Sequence, residues 1–304
     1  MQLALYFKAL ADATRLRLLN ILYTHELNVN EIVSIMGMGQ SRISRHLKIL
    51  TDSGLLKYRR DGLWVFYRAE KEGRGGELLG LLSDFIRTDR EMSADYELLS
   101  NVIEEGYRQR TRFFDSLAPD WNDIKQSIFG DFNISEAIVE RIDRCDVAAD
   151  LGCGTGELLP YIKQKAKKVI GVDKSPKMLE MAGRRPSLND KGIELRIGEI
   201  EHLPMRDREA NAAVINMVLH YLPSPERAIY EAGRVVKNGG ALIIADLDKH
   251  RDEQMRTKYS HRWLGFSRKN IERWLSDAGF NLSEFSQFDV LNGLKIDLYV
   301  SVKK

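Results

Sequence analysis

The chain has 304 residues, of which 43% are hydrophobic and 30% are charged, a size and composition that predict a globular protein of two domains. No apolar run approaches the ~18 residues that a membrane-spanning helix needs, and the first residues lack a signal-peptide layout. We therefore expect a cytoplasmic protein without a membrane partner. Its two cysteines, Cys145 and Cys153, are too few for a disulfide framework or a four-cysteine metal site.

The charge is distributed unevenly along the chain. Residues 1–75 contain 12 Lys and Arg against 7 Asp and Glu, whereas residues 76–304 contain 34 against 37. A basic N-terminal segment on a mildly acidic body predicts that nucleic acid is bound at one end only.

The basic segment predicts a winged helix-turn-helix domain over residues 1–75. Residues 3–24 repeat apolar side chains at helical spacing, and Val29–Met36 predicts a short helix that Gly37 ends. The stretch GQSRISRHLKILTDSGLL then predicts a helix with one apolar face. Two β-rich runs around Asp61-Gly62 predict a hairpin with Arg59 and Arg60 at its tip.

These elements point to operator DNA as a partner, because a helix fits the major groove and wing arginines reach the backbone or the minor groove. The predicted DNA-binding side chains are Gln40, Ser41, Arg42, Ser44, Arg45, His46, Arg59 and Arg60. The alternative is a solvated basic face on a small helical domain.

The stretches FKALADATRLRLLNIL and SRISRHLKILTDSGLL resemble the ArsR/SmtB family of bacterial repressors. The resemblance implies a homodimer that binds a near-palindromic operator. Metal-sensing members of that family have a Cys-Val-Cys arrangement where this chain has Asn28-Val29-Asn30. Amides are poor ligands for soft metals, which prefer thiolates, so we expect no metal here and a signal that enters elsewhere.

Residues 76–120 form a helix-compatible region that we expect to join two domains. Gly73–Gly76 and Pro119 mark the predicted joints. In relatives a helix at this place builds the dimer interface, and the same is expected here. A lever that transmits the ligand state is a compatible alternative.

The C-terminal part, residues 121–304, predicts an α/β domain with a mostly parallel sheet. The stretch VAADLGCGTGELL predicts a buried strand, a glycine-rich turn and a helix, in which glycines let the backbone approach a ligand. A second strand ends at Asp173, 17 residues after Gly156. Strands over residues 193–197, 212–216 and 241–246 alternate with helices, and residues 285–290 and 296–302 predict an antiparallel hairpin.

The spacing Gly152-x-Gly154-x-Gly156 differs from the GxGxxG of dinucleotide-binding proteins, which is the alternative. With DKSPKML and GEIEHLP, it resembles the class I S-adenosylmethionine (SAM)-dependent methyltransferases over about residues 135–304. The resemblance implies a Rossmann-like domain, in which a mostly parallel seven-stranded sheet ends in a C-terminal antiparallel hairpin. It also implies SAM or S-adenosylhomocysteine (SAH) as the ligand.

The same resemblance implies the ligand-binding residues. A cradle for the methionine part is formed by Gly152, Cys153, Gly154 and Gly156. Asp150 lies near this cradle, and Asn216 lies by the sulfonium.

The nucleoside part of the ligand is implied to lie after the second and third strands. Asp173, followed by Lys174, would hold the ribose hydroxyls, while Met178 would pack near the adenine. Glu199 would accept from the adenine amino group, and Ile200 would offer its backbone N–H. The alternatives are an ordinary surface acid for Glu199 and an ordinary core residue for Met178.

Four side chains near the fourth and fifth strands are candidates for acid–base chemistry: His220, Asp246, His250 and His261. The structural alternative is a charged lid with packing histidines. The Asn/Asp-Pro-Pro-aromatic motif of base-amino methyltransferases is replaced by Asn216-Met217-Val218-Leu219. Arsenite methyltransferases rely on several cysteines, and this chain has two. The remaining possibilities are that a small molecule accepts the methyl group or that no methyl transfer takes place.

The whole chain resembles SAH-responsive ArsR-type repressors of methionine-cycle genes. The leading hypothesis is therefore a DNA-binding transcriptional regulator, a repressor, whose methyltransferase-like domain binds SAM or SAH as effector. The alternative is an active small-molecule methyltransferase whose DNA-binding domain regulates its own operon. A DNA methyltransferase delivered by its winged helix ranks last.

Overall fold

The computed structural model describes residues 2–87, 90–130, 132–188 and 191–304. The chain forms two compact units, Met1–Gln109 and Arg110–Lys304. The predicted linker region, residues 76–120, therefore contributes residues to both units. In the described ranges, no helix combines the length and the apolar character needed to cross a membrane.

The first unit contains the predicted helices and wing. Its elements are α1 (Gln2–Leu10), α2 (Ala13–Thr24), β1 (Leu27–Asn28), α3 (Val29–Met36), α4 (Gln40–Ser53), β2 (Leu56–Asp61), β3 (Trp64–Ala69) and α5 (Gly73–Arg87). The helix α6 (Arg90–Leu117) follows and contains residues of both units. Antiparallel pairing of β2 with β3, which ends at the Asp61–Trp64 pair, confirms the predicted hairpin.

The core of the first unit is formed by the inward faces of α2, α3 and α4. Ile43, Leu47 and Leu50 on α4 are fully buried, which confirms its predicted apolar face. Gly37 and Gly54 end α3 and α4 in the left-handed conformation, with φ of 61° and 82°, which glycine adopts without a Cβ penalty.

Asn28 has a structural role at the start of α3. Its side-chain oxygen accepts from the backbone N–H groups of Asn30 (2.9 Å) and Glu31 (3.1 Å), while the Glu31 carboxylate accepts from the Asn28 N–H (2.8 Å). This capping box satisfies backbone donors that a helix N-terminus otherwise leaves unpaired. The amide at position 28 therefore has a role that needs no ligand.

Gly73–Gly76, where one joint is predicted, form the first turn of α5. A Cβ on Gly76 would lie 2.3 Å from the Lys71 carbonyl carbon, and one on Gly75 would lie 2.9 Å from the Gly54 oxygen. Glycine is thus required here for close backbone packing rather than for flexibility.

The second unit is an α/β domain. After the end of α6 its elements are α7 (Trp121–Phe129), α8 (Ile134–Glu140), β4 (Cys145–Leu151), α9 (Leu159–Lys163), β5 (Ala166–Asp173), α10 (Pro176–Gly183), β6 (Ile193–Ile197), β7 (Ala210–Asn216), α11 (Pro225–Val235), β8 (Val236–Leu247), α12 (Gln254–Tyr259), α13 (Arg268–Asp277), β9 (Phe280–Asp289) and β10 (Lys295–Lys303). Four short 3₁₀ turns lie among them: Ala118–Asp120, Pro186–Leu188, Leu219–Tyr221 and Leu291–Gly293.

The strands form one seven-stranded sheet in the order β6-β5-β4-β7-β8-β10-β9. The first five strands in this order are parallel, whereas β10 pairs antiparallel with both β8 and β9. The predicted mostly parallel sheet with a C-terminal antiparallel hairpin is thereby confirmed.

Both faces of the sheet are buried. Ala148 of β4 lies in one core with Ile138 and Leu159, whereas its neighbour Ala149 lies in the other core with Ile229, as alternation along a strand requires. The chain moves from β4 outward to β5 and β6, then returns to β7 and β8. The carboxyl ends of β4 and β7 therefore meet at a topological switch point, where open α/β sheets bind ligands.

We expect Asn28→Ala to weaken α3 by about 1 kcal/mol, because the substitution removes the cap of that helix. Native-state hydrogen exchange of the α3 amides should become about fivefold faster. Asn30→Ala is the matched control, because Asn30 contributes only its backbone N–H to the cap. Equal exchange rates in the two variants would contradict the capping role.

Candidate functional site

The outer face of α4 presents the predicted DNA-binding side chains. Those exposed are Gln40, Ser41, Arg42, Ser44 and Arg45, and the exposed Arg60 lies on β2. His46 is half-buried, with its Nδ1 3.7 Å from an Asp12 carboxylate oxygen. The α4 N-terminus begins at Gly39 without a side-chain cap, so its N–H dipoles add to the positive character of this face.

Arg59 is held by side chains of its own unit. Its guanidinium donates to the Glu26 carboxylate through Nε (2.9 Å) and Nη2 (2.7 Å), and it lies over the Phe66 ring at 4.2 Å. It also forms an ion pair with the buried Asp61 at 3.4 Å. These contacts give Arg59 a role in fixing the hairpin to the segment before β1.

The glycine-rich loop after β4 has three glycines with positive φ, but their surroundings differ. A Cβ on Gly152 would lie 2.6 Å from Val218 Cγ2, and one on Gly156 would lie 2.7 Å from Leu188 Cδ1. A Cβ on Gly154 would meet no atom within 4 Å. The middle of the loop thus faces open space, while its two ends are packed against the protein.

Cys153 lies inside this loop and is 8% exposed. Its backbone N–H donates to the Val172 carbonyl (3.0 Å), which ties the loop to β5. Burial raises the pKa of the Cys153 thiol well above its usual value. The side chain therefore acts as a neutral packing group. The helix that follows, α9, has five residues and starts three residues after Gly156.

Asp173 at the end of β5 joins two loops. Its Oδ2 accepts from the Gly154 N–H (2.8 Å), and its Oδ1 accepts from the Ser175 N–H (2.9 Å). Burial raises the pKa of Asp173, and these backbone donors act in the opposite direction. Each carboxylate oxygen has two lone pairs, so both can accept a further hydrogen bond.

Asp150 at the end of β4 is 2% exposed. Burial, followed by the nearby Asp173 charge, raises the pKa of Asp150 to about 7. Two carboxyl groups therefore lie beside one glycine loop, where a ligand that donates hydrogen bonds or carries positive charge would be stabilised.

The residues predicted to hold the adenine occur on neighbouring loops. Met178 is 2% exposed, and its N–H donates to Ser175 Oγ (3.0 Å), the cap of α10. Lys174 donates to Glu199 through Nζ (2.6 Å). Ile200 is buried, and its Cδ1 lies 2.9 Å from the place where a Gly152 Cβ would be. The structure thus places Ile200 at the glycine loop, and it connects Met178 and Glu199 to Ser175 and Lys174, the two residues that follow Asp173.

Asn216 ends β7, and its Oδ1 is buried without a hydrogen-bond partner in the described part of the chain. The next residue, Met217, has a φ of 56°, which is uncommon for a residue with a Cβ. Buried polar atoms without a partner are rare in native proteins. With the open space at Gly154 and the acceptors on Asp173, this acceptor fits a polar nucleoside ligand such as SAM or SAH.

The candidate acid–base residues form a buried cluster at the ends of β7 and β8. His220 Nδ1 lies 2.7 Å from Asp246 Oδ1, and the His220 and His261 rings are 4.1 Å apart. The Tyr221 hydroxyl lies 3.2 Å from His261 Nε2. Burial raises the pKa of Tyr221 and lowers that of His261 well below its ordinary value, so both are neutral.

His250 occupies the segment between β8 and α12. Its N–H donates to the Leu264 carbonyl (3.0 Å), and its Nδ1 accepts from the Asp252 N–H (3.2 Å). A His250 charge would also lower the pKa of His261, so the two rings are electrostatically linked. The structure thus places His250 beside the His220–Asp246–His261 cluster.

Sequence reasoning missed two residues of the second unit near the site. Asp115 accepts from Ser175 Oγ (2.5 Å), and the Phe114 ring packs edge-on against Tyr221 at 4.8 Å. Both lie in the region that was predicted to serve dimerisation. The run Phe113-Phe114-Asp115 just before Pro119 was the available signal, because two aromatic side chains at a helix end need a partner surface.

Comparison with known proteins gives two domain matches. Residues 12–58 match the model of bacterial regulatory proteins of the arsR family, and residues 149–244 match that of a methyltransferase domain. The chain therefore combines an ArsR-family helix-turn-helix domain with a methyltransferase domain of Rossmann-like fold.

Relatives of the second domain include several named methyltransferases. The chain is 34% identical over 106 residues to the arsenite methyltransferase of Halobacterium salinarum, which covers 34% of this chain and 27% of that protein. It is 29% identical over 203 residues to the demethylmenaquinone methyltransferase of Thermotoga maritima, covering 64% and 85% respectively. The matches span 47%, 27% and 62% of the first three curated relatives.

Solved structures share the fold at low identity. Geranyl diphosphate C-methyltransferase from Streptomyces coelicolor, solved with Mg²⁺, geranyl diphosphate and SAH, gives a TM-score of 0.50 at 15% identity. That match covers 56% of this chain and 77% of the other. The [4+2]-cyclase SpnF also gives 0.50, at 18% identity, with 56% and 79% covered. The fold is thus shared by proteins of different activities, and it does not define the reaction.

We expect the contribution of Asp150 to the stability of the ligand-free protein to fall as pH rises from about 4 to about 7, because its carboxyl must ionise in a buried site. Below its ordinary pKa the carboxyl is protonated in both folded and unfolded states. Above a pH of about 7 the folded state carries the full penalty. Asp150→Asn should therefore raise the free energy of unfolding by at most about 4 kcal/mol at pH 8 and by less than half of that at pH 5.

Denaturant unfolding of the ligand-free protein at the two pH values measures this difference. Asp143→Asn is the control, because Asp143 is exposed in the segment before β4. An Asp150→Asn effect of equal size at both pH values would contradict a titrating buried carboxyl.

Proposed function

We propose that the chain is a transcriptional regulator whose DNA binding responds to SAM or SAH. The observation that carries the proposal is the presence of two built sites in one chain. One is the exposed polar face of α4, and the other is the glycine loop with the half-buried Asp173 carboxylate. We further propose repression of an operator bound by a homodimer, as the ArsR-family domain suggests.

The proposed DNA binding is supported by exposed side chains on α4 that do not pack in the core. Arg42 and Arg45 are exposed on α4, whose opposite face is fully buried. Arginines on such a helix can donate to guanine edges and to phosphates. Arg59, in contrast, is held by Glu26, so we assign base contacts to α4 rather than to Arg59.

Support at the ligand end comes from three neighbouring loops. The open space at Gly154 allows close approach of a ligand, Asp173 can accept from ribose hydroxyls, and buried Asn216 Oδ1 can accept from a polar group. The methyltransferase relatives and the SAH-bound structural neighbour act on or hold ligands of this class. SAM and SAH are therefore the proposed effectors, with SAH the one that the resemblance of the whole chain suggests.

A ligand changes DNA affinity only by binding the DNA-competent and incompetent states unequally. A tenfold change in operator affinity requires a tenfold difference in ligand affinity between those states. The regulator hypothesis thus predicts a measurable linkage, which a methyltransferase that merely carries a DNA-binding domain would lack.

We expect Asp173→Ala to weaken SAH binding by roughly 100-fold, because it removes the acceptor of two hydroxyl hydrogen bonds. Operator binding without ligand should stay unchanged, because Asp173 lies in the second unit. The measurement is fluorescence anisotropy of the promoter DNA of this gene at fixed salt, with calorimetry for SAH and SAM. Unchanged ligand binding would refute the assigned site.

Two further variants serve as controls. Asp143→Ala removes an exposed acid from the same unit and should leave both binding constants unchanged. Arg45→Ala should have the reverse effect of Asp173→Ala, with weaker DNA binding and normal ligand binding. If neither SAH nor SAM changes the operator affinity of the unmodified protein, the regulatory role of the ligand is rejected.

A second candidate function is methyl transfer to a small hydroxyl-bearing acceptor, and the His220–Asp246 pair favours it. Asp246 fixes His220 through Nδ1 at 2.7 Å, and Nε2 is then the ring nitrogen that can accept a proton from an acceptor hydroxyl. Bound SAM would supply the methyl group. His220 would take the proton from the acceptor hydroxyl as a general base.

If this activity exists, Asp246→Asn should lower the methyl-transfer rate by about 10²-fold or more while SAM binding persists. Transfer of tritiated methyl from SAM to a panel of small phenols and alcohols is the measurement. Asp277→Asn, which changes an exposed acid of α13, is the matched control. If none of these compounds is methylated, the result favours a regulator that has no enzymatic activity.

A further inference from the structure

The last turn of α6 is bonded to the loop that carries Asp173. Asp115 Oδ1 accepts from the Ser175 hydroxyl at 2.5 Å, and Ser175 is 3% exposed. Ser175 also caps α10, because its Oγ accepts from the Met178 N–H (3.0 Å). One hydroxyl therefore connects the end of α6 with the start of α10.

The same serine is bonded to the carboxylate that we assign to the ribose. The Ser175 N–H donates to Asp173 Oδ1 at 2.9 Å. Asp115 and Asp173 are thus separated by a single residue that bonds to both. Ribose hydroxyls that donate to Asp173 would compete with or reorient the Ser175 N–H, and this change would reach the Ser175 hydroxyl.

Asp115 stands where a helix tolerates a negative charge poorly. It lies in the last turn of α6, which contains no basic residue. The C-terminal end of a helix carries a partial negative charge, so an aspartate there is destabilising unless a donor compensates it. The Ser175 hydroxyl is such a donor, and the order of the last turn of α6 therefore depends on it.

The N-terminal part of α6 belongs to the first unit and is anchored in it. Asp95 accepts from Arg17 of α2 through both carboxylate oxygens (2.6 and 2.7 Å), and Asn20 Nδ2 donates to the Met92 carbonyl (3.0 Å). Leu99 is fully buried in the core that also holds α4. This part of α6 is thus attached to the scaffold of the DNA-binding helix.

We propose that Asp115 is a positioning residue that couples occupancy of the Asp173 site to DNA binding by way of α6. The inference rests on the proposed function, and it names the contact through which the ligand acts. Ligand at Asp173 changes the bonding of Ser175, which alters the order of the last turns of α6. The first turns of the same helix pack with α2 in the DNA-binding unit. A change in the order of the last turns of α6 therefore changes the stability of its first turns.

Asp115→Ala tests the coupling, because it removes the acceptor of the Ser175 hydroxyl and leaves the Asp173 side chain in place. It also removes the Asp115 charge, which is one cause of the raised pKa of Asp173, so Asp115→Asn, which loses the same charge, is the matched variant. Its affinities for SAH and SAM should stay within about threefold of the unmodified protein, whereas the ratio of operator affinities with and without ligand should fall to about one. Asp115→Asn retains an acceptor oxygen for Ser175 and should keep most of the response. Asp123→Ala, which changes an exposed acid on α7, should keep all of it.

Hydrogen exchange along α6, measured with and without SAH, gives a readout that is independent of DNA. The unmodified protein should show a ligand-dependent change in the last turns of α6, and Asp115→Ala should lack it. If SAH changes operator affinity equally in Asp115→Ala and in the unmodified protein, the coupling role is overturned while the regulator stands. If SAH changes α6 exchange but never operator affinity, the proposed regulator fails and the coupling to DNA fails with it, and only the link from the ligand site to α6 survives. If SAH does not change hydrogen exchange in α6, the Asp115–Ser175 contact has no coupling role.

Discussion

The ligand site depends on the hydrogen bonding of one half-buried carboxylate. Asp173 accepts from the backbone of Gly154, in the loop after β4, and of Ser175, in the loop after β5. A carboxylate that is largely withdrawn from water needs hydrogen-bond donors from the protein, so these bonds hold the two loops in one arrangement. The left-handed glycines of the first loop allow its N–H to reach the carboxylate.

The backbone donors of Gly154, Lys174 and Ser175 do not fully compensate the burial of Asp173, since its pKa remains raised. Additional hydroxyl donors would lower the free energy of the ionised form. The site is therefore suited to a ligand with adjacent hydroxyls. Binding of such a ligand would reduce the free-energy cost of ionising Asp173 in the folded protein. The partly protonated Asp150 nearby adds a second group whose charge a ligand can change.

Local patterns made most of this architecture predictable from the sequence. Strand and helix periodicity gave the order of elements, and glycine spacing located the loop after β4. What could not be predicted depends on partners distant in the chain, such as Asp115 with Ser175 and Arg59 with Glu26. The close packing of Gly75 and Gly76 could not be predicted either, because glycine permits close packing as well as flexibility, and only the neighbouring backbone of Gly54 and Lys71 reveals the packing.

The His220–Asp246 pair shows why a catalytic appearance is weak support for catalysis. Asp246 accepts from His220 Nδ1 and from the backbone N–H groups of Leu219 and Leu247. It thus provides the hydrogen-bond acceptor for backbone donors around the turn after β7. A protein that only binds ligand would need Asp246 for this structural reason as well. Asn216 Oδ1 and His261 Nδ1 differ, because each is buried without a partner in the described structure. The fold alone does not explain these two atoms, and their hydrogen-bonding capacity is what a bound molecule would use.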